Sequence, residues 1–97
     1  MAMLEKTTQN LKDMMEWLKE KTNDSADYIS DKWHAYKNDS KELYSDLSAE
    51  TQDQVRALQD DTEKAFEDMK EAKDERKEEL RLKTIKNLER LADYLKK

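Results

Sequence analysis

The chain of 97 residues is long enough for one domain at most, and with 44% charged and 35% apolar residues it lies far on the polar side of globular averages. It has no Cys, which excludes a disulfide framework and thiolate sites, and no Gly or Pro, the residues that most often mark turns. A formal net charge of -5 and the lack of a recognised motif argue against nucleic acid as a partner.

The first residues, Met1 to Leu4, form an apolar run too short for the core of a signal peptide. The chain also lacks the roughly 20 consecutive apolar residues that a membrane-spanning helix needs. We therefore expect one helical domain over residues 1–97, with a frayed N-terminus at residues 1–10. The expected location is cytoplasmic, with peripheral attachment to a membrane or particle left open.

From Leu11 onward, an eleven-residue register runs through the chain. Thirteen of the sixteen positions in its two main series are apolar; the series are Leu11, Thr22, Trp33, Tyr44, Val55, Phe66, Lys77, Leu88 and Met14, Ser25, Tyr36, Leu47, Leu58, Met69, Leu80, Leu91. Eleven residues make three turns of helix, so this period keeps one stripe on one side. The sequence predicts an all-α protein: one long amphipathic helix with hendecad periodicity, forming a right-handed coiled coil.

A helical hairpin that breaks near residues 38–52 is the alternative. Asp39 with Glu42 and Thr51 with Gln54 have the spacing of a capping box, and either pair is able to begin a second helix. Further cap residues occur in the segments 21–27 and 59–63. The register keeps its phase through all of these sites, which favours the continuous helix because a loop of arbitrary length would usually reset it.

The charges are sorted around the apolar face. The series through Met15 and Leu18 complete that face, and no acid falls on any of its four series after residue 10. Basic residues such as Lys12, Lys19 and Lys32 border this face, where the apolar parts of their side chains can lie along an apolar surface. The central series is diluted by hydroxyl residues between Ser40 and Thr84.

This pattern resembles the amphipathic helices of exchangeable apolipoproteins and, more loosely, those of perilipins and group 3 late embryogenesis abundant proteins. The resemblance concerns the charge pattern and the period over residues 11–97. The chain departs from it by lacking the prolines that divide apolipoprotein repeats and the Ala-rich repeats of the desiccation proteins. The resemblance implies a lipid-binding or stress-protective helix and assigns a role to no single residue.

The function that we expect is non-enzymatic assembly: the apolar face packs against copies of the chain or against another helical subunit. A peripheral coat on an anionic lipid or other hydrophobic surface is the alternative, and a stress-protective helix is a third hypothesis. The expected interaction face consists of Leu11, Met14, Leu18, Ile29, Trp33, Tyr36, Tyr44, Leu47, Val55, Leu58, Phe66, Met69, Leu80, Leu88, Leu91 and Leu95.

The sequence suggests no catalytic, cofactor or metal site. Asp31 and the lone histidine, His34, have the spacing of a Glu-x-x-His metal helix, but that motif needs further carboxylates facing the same way. Both residues fall on the polar side of the predicted helix. A surface histidine is therefore the expectation.

Overall fold

A computed structural model describes residues 2–20 and 26–95 of the chain. Within these residues the chain forms four helices: α1 (Ala2–Lys19), α2 (Ala26–Ser45), α3 (Ala49–Glu71) and α4 (Asp74–Leu95). The all-α prediction is confirmed. The prediction of one long helix in a right-handed coiled coil is wrong, because the chain folds back on itself into a bundle of 40 × 26 × 17 Å.

Side chains rather than Gly or Pro close the turn between α2 and α3. Ser48, with φ -60° and ψ 157°, caps α3 by accepting a bond from the Thr51 N–H at 3.2 Å. The Gln52 side-chain amide donates to the carbonyls of Ser45 (3.1 Å) and Leu47 (2.8 Å) at the end of α2. These bonds satisfy groups that a helix end leaves unpaired. The chain therefore turns within residues 46–48, none of which is Gly or Pro.

This turn falls inside the interval 38–52 of the hairpin alternative, but neither predicted capping box begins a helix. Asp39 and Glu42 lie within α2, and Thr51 follows the cap residue Ser48 instead of acting as the cap. α3 ends at the cap residue Ala72, whose backbone is extended. The Ala72 N–H donates a hydrogen bond to the Asp68 carbonyl at 2.9 Å. Of the other predicted cap segments, 59–63 lies inside α3, and residues 21–25 of the segment 21–27 lie outside the described residues.

The helices run alternately up and down. α1 packs against α2 and against α4, and α3 packs against α4. Three polar contacts fix the register of these antiparallel pairs: Lys32 Nζ to Asp13 Oδ2 (3.0 Å), Asn87 Nδ2 to Asp61 Oδ2 (2.9 Å) and Arg81 Nη1 to the Leu18 carbonyl (2.6 Å). The backbones of α2 and α3 approach each other least closely of the neighbouring helices.

The centre of the bundle combines aliphatic and hydroxyl side chains. Leu11, Leu88 and Leu91 are fully buried, and so are Thr62 and Thr84. Each threonine hydroxyl donates at 2.7 Å to the carbonyl four residues earlier in its own helix. Because these hydroxyls are satisfied locally, they need no partner on another helix. Of the hydroxyl residues in the central series, Ser40, Thr62 and Thr84 are thus buried in the core, whereas Thr51 is half-buried.

Candidate interaction site along the seam between α2 and α3

The structure places fifteen of the sixteen residues of the predicted interaction face in or against one internal cluster, and the remaining residue, Leu80, is also buried. Twelve of its residues are buried: Leu11, Met14, Leu18, Ile29, Trp33, Tyr36, Tyr44, Val55, Leu80, Leu88, Leu91 and Leu95. The other four, Leu47, Leu58, Phe66 and Met69, are partly buried and pack against them. The four helices therefore cover each other's apolar stripes, and the face meets the rest of its own chain in the closed bundle.

The boundary between α2 and α3 differs from the other helix contacts because its backbones approach least closely, and long polar and aromatic side chains bridge the space between them. We call it the α2–α3 seam and define it by Trp33, Tyr36, Lys37, Gln59, Glu63 and Phe66. The indole N–H of Trp33 donates to Glu63 Oε1 at 2.9 Å, and Lys37 Nζ donates to the same oxygen at 2.5 Å. These bonds, with that of Lys37 the stronger cause, lower the pKa of the Glu63 carboxyl below its ordinary value.

Farther along the seam, four polar groups form a chain of hydrogen bonds through the interior. Tyr44 donates to the Leu91 carbonyl at 3.1 Å, so the 2.8 Å contact between the two tyrosine oxygens has Tyr36 as its donor. The Gln59 amide in turn donates to the Tyr36 oxygen at 3.2 Å. Burial raises the pKa of both tyrosines. This chain joins α3 to α2 and α2 to α4.

Aromatic rings fill the remaining space in the seam. The Trp33 ring lies 5.0 Å from that of Tyr36 and meets the Phe66 ring edge-on at 5.5 Å, with an interplanar angle of 76°. Aromatic pairs at these distances attract beyond the effect of buried area alone. The α2–α3 seam is consequently held by rings and directional bonds, whereas the other pairs of neighbouring helices pack more closely along their backbones.

Little of the apolar surface is left outside. Among the described residues, the exposed large hydrophobic side chains are Tyr28, at 42% exposure, and Leu82, at 57%. Tyr28 stacks on Trp17 with the ring centres 6.5 Å apart, and Lys32 Nζ lies 5.7 Å from the centre of the Tyr28 ring. In the closed bundle, this aromatic pair with its cation is the most distinctive outward-facing feature.

The polar residues of the seam escaped the sequence-based prediction. Gln59 lies on a series of the predicted face but is polar, so the prediction left it out. Glu63 borders the face on the series of Lys19 and Lys41. An acid at the border of the face, where the sequence places basic residues such as Lys19, was the feature that could have identified Glu63. Its partners Trp33 and Lys37 lie 30 and 26 residues away in sequence, a separation that helical periodicity does not connect.

Asp31 and His34 are exposed on α2. In the part of the chain that the structure describes, no three His, Asp or Glu residues are grouped closely enough to hold a metal ion. No helix among residues 2–20 and 26–95 combines the length and apolar character that a membrane crossing requires. No protein-family model, curated protein or solved structure matches this chain.

Proposed function

We propose that this chain is a non-enzymatic assembly protein that opens along the α2–α3 seam and transfers its apolar face to another helical surface, either a copy of itself or a second helical subunit. The observation that carries the proposal is the construction of the seam. Directional hydrogen bonds from Trp33 and Lys37 to Glu63 and from Gln59 to Tyr36 hold it, with less close packing of the helix backbones than elsewhere.

A face buried in this way becomes available only when helices separate. Opening exposes Trp33 and Tyr36, which are 3% and 0% accessible in the closed form. Burying an aromatic or aliphatic side chain stabilises a protein by roughly 1.5–3 kcal/mol, so the open form is unfavourable in water. A partner that covers the face recovers this free energy and thereby shifts the population toward the open form.

The threonines of the central series reduce the cost of opening. At buried positions such as Thr62 and Thr84, a Leu or Ile would add apolar area that water disfavours on exposure. Their hydroxyls keep the same bonds in the open state, because the acceptor lies in the same helix. A core with these threonines therefore exposes less apolar area on opening than a purely aliphatic core would.

Covalent closure of the seam tests the proposal. The chain has no Cys, so Lys37→Cys with Glu63→Cys can be bridged by a short bis-maleimide across α2 and α3. The matched control is Asp13→Cys with Lys32→Cys, which replaces an ion pair across α1 and α2. We expect the first bridge to hold the protein as a monomer in light scattering, and the control bridge to leave assembly intact. Equal assembly by both bridged proteins would contradict the proposal.

The aromatic pair of exposed Tyr28 and partly buried Trp17 favours a second candidate, a peripheral coat on an anionic lipid surface. Trp17 and Tyr28 stack beside Lys32, and aromatic rings next to a cation suit the interface between head groups and acyl chains. This candidate predicts that Trp17→Ala and Tyr28→Ala each weaken sedimentation with anionic phospholipid vesicles. Sedimentation that is unchanged by both substitutions, or that occurs equally with neutral vesicles, would count against it.

A further inference from the structure

We propose that the partner is a second copy of this chain and that the two copies exchange their α3–α4 hairpins when Asp46–Ser48 becomes helical. In this form α2 and α3 join into one helix from Ala26 to Glu71. The inference rests on the proposed function, because it specifies the partner for self-assembly through the apolar face. It also specifies the segment that changes conformation.

The eleven-residue register supports a joined helix. Tyr44 and Val55 occupy successive positions of one series on either side of the turn, and Leu47 and Leu58 do the same in the next. In the closed form the turn interrupts the helix between these positions. A continuous phase would let residues 44–58 of a joined helix present one face.

The turn itself contains nothing that prevents a helix. Asp46, Leu47 and Ser48 are neither Gly nor Pro, and the backbone of Ser48 departs from helical geometry only in ψ. The bonds that hold the turn are local: the Ser48 cap on Thr51 and the two Gln52 bonds to carbonyls. A joined helix replaces them with backbone bonds between residues 44 and 52.

An exchange of hairpins preserves the other contacts. The α1–α2 and α3–α4 pairs stay within one chain, while the α2–α3 seam and the α1–α4 contact form again between the two copies. The bonds of Trp33 and Lys37 to Glu63 and of Arg81 to the Leu18 carbonyl are therefore recovered in the dimer. Exchange of identical elements through a short hinge is a known low-cost route to a dimer.

Ala49→Pro separates the closed and joined forms. Ala49 is the first residue of α3, where Pro is favoured, and Ser48 before it already has the extended backbone that a residue before Pro prefers. In a joined helix the ring of the new residue would clash with the Ser45 carbonyl. We expect the dimer-to-monomer ratio to fall at least about tenfold by light scattering, while the control Ala49→Ser keeps the wild-type ratio.

Ser48→Ala should act in the opposite direction, because it removes the cap of α3 and leaves a good helix former in the joined helix. We expect the dimer-to-monomer ratio to rise by about threefold to tenfold. A lower ratio for Ser48→Ala, or an unchanged ratio for Ala49→Pro, would overturn the exchange.

Distances within one chain give a direct test. Asp31→Cys and Glu67→Cys place spin labels at exposed sites on α2 and α3, and the labelled chain is diluted with excess unlabelled chain. The closed form brings the sites within about 10–20 Å, since they lie on neighbouring helices. A joined helix separates them by about 54 Å at 1.5 Å per residue. The long distance in the dimer fraction is the expected result.

The outcomes distinguish the two proposals. A dimer whose intramolecular distance stays short would overturn the hairpin exchange and leave self-assembly through the face standing. A wild-type chain that remains monomeric at every protein concentration would overturn the exchange, and the proposed assembly would then depend on a different helical protein. Long distances that appear only with anionic vesicles would overturn the exchange in favour of the lipid coat.

Discussion

Replacing Tyr44 with Phe should destabilise the bundle more than replacing Tyr36 with Phe, although both hydroxyls are buried. The bonds run in one direction, from the Gln59 amide to Tyr36, from Tyr36 to Tyr44 and from Tyr44 to the Leu91 carbonyl. Tyr44→Phe removes both the acceptor for the Tyr36 proton and the donor to Leu91. It leaves the Tyr36 O–H, at 0% exposure, without its acceptor.

The magnitudes follow from this direction. A buried donor left without a partner costs about 1–3 kcal/mol, so we expect Tyr44→Phe to lower the free energy of unfolding by about 2 kcal/mol. Tyr36→Phe leaves the Tyr44 bond to Leu91 intact, and the Gln59 amide is only partly buried and can be hydrated. We expect a loss of about 1 kcal/mol for this change.

Urea unfolding followed by far-ultraviolet circular dichroism measures both variants and the double variant at a concentration where the protein is monomeric. The double variant should lose less than the sum of the single losses, with a coupling energy of about 1 kcal/mol, because the bond between the tyrosines is counted in both. The dependence on urea should stay the same, since little surface changes. Additive losses, or a larger loss for Tyr36→Phe, would refute the direction assigned to the chain of bonds.

Three further predictions concern pH and the apolar face. Burial raises the pKa of Tyr36 and Tyr44 above the ordinary value of 10.0, so the stability that they contribute is complete below pH 10 and should fall as the pH rises beyond it. The urea midpoint measures this fall, and the variant with both tyrosines replaced by Phe should lack it. The bonds to Glu63 lower its pKa below 4.5, so its contribution is present above that pH and is lost on acidification; Glu63→Gln should flatten the acid side of the midpoint curve. Leu58→Asp should abolish assembly in light scattering while Leu82→Asp, at a site 57% exposed, should not, and equal behaviour would contradict a role for the face.

Periodicity made the helices and their buried side predictable. Residues on one side of a helix recur every three to four positions, so Leu11, Met14 and Leu18 share a face whatever the helix packs against. All three are buried, as are the matching positions of α4, Leu88, Leu91 and Leu95. This information is local and is present in a single sequence.

The ends of the helices were harder to predict, because they depend on small differences between local bonds. One cap is worth about 1 kcal/mol, and Ser48, Asp39 and Thr51 all have the chemistry for it. The choice of Ser48 reflects the burial of apolar side chains that folding back permits, which involves residues far apart in sequence. The eleven-residue register does not reveal where the chain turns, because the turn at residues 46–48 leaves the phase of the register unchanged.

The apolar face and its border contain two kinds of polar residue with different consequences for a partner. Thr62 and Thr84 bond to their own helices, so a neighbouring helix needs only to fit their size. Gln59, Glu63 and Tyr44 bond across helices, so a partner that displaces α2 or α3 without matching groups leaves them unpaired. Such a penalty selects against unrelated helices. A second copy of the chain supplies every matching group, which makes it the partner best able to replace the contacts of the closed bundle.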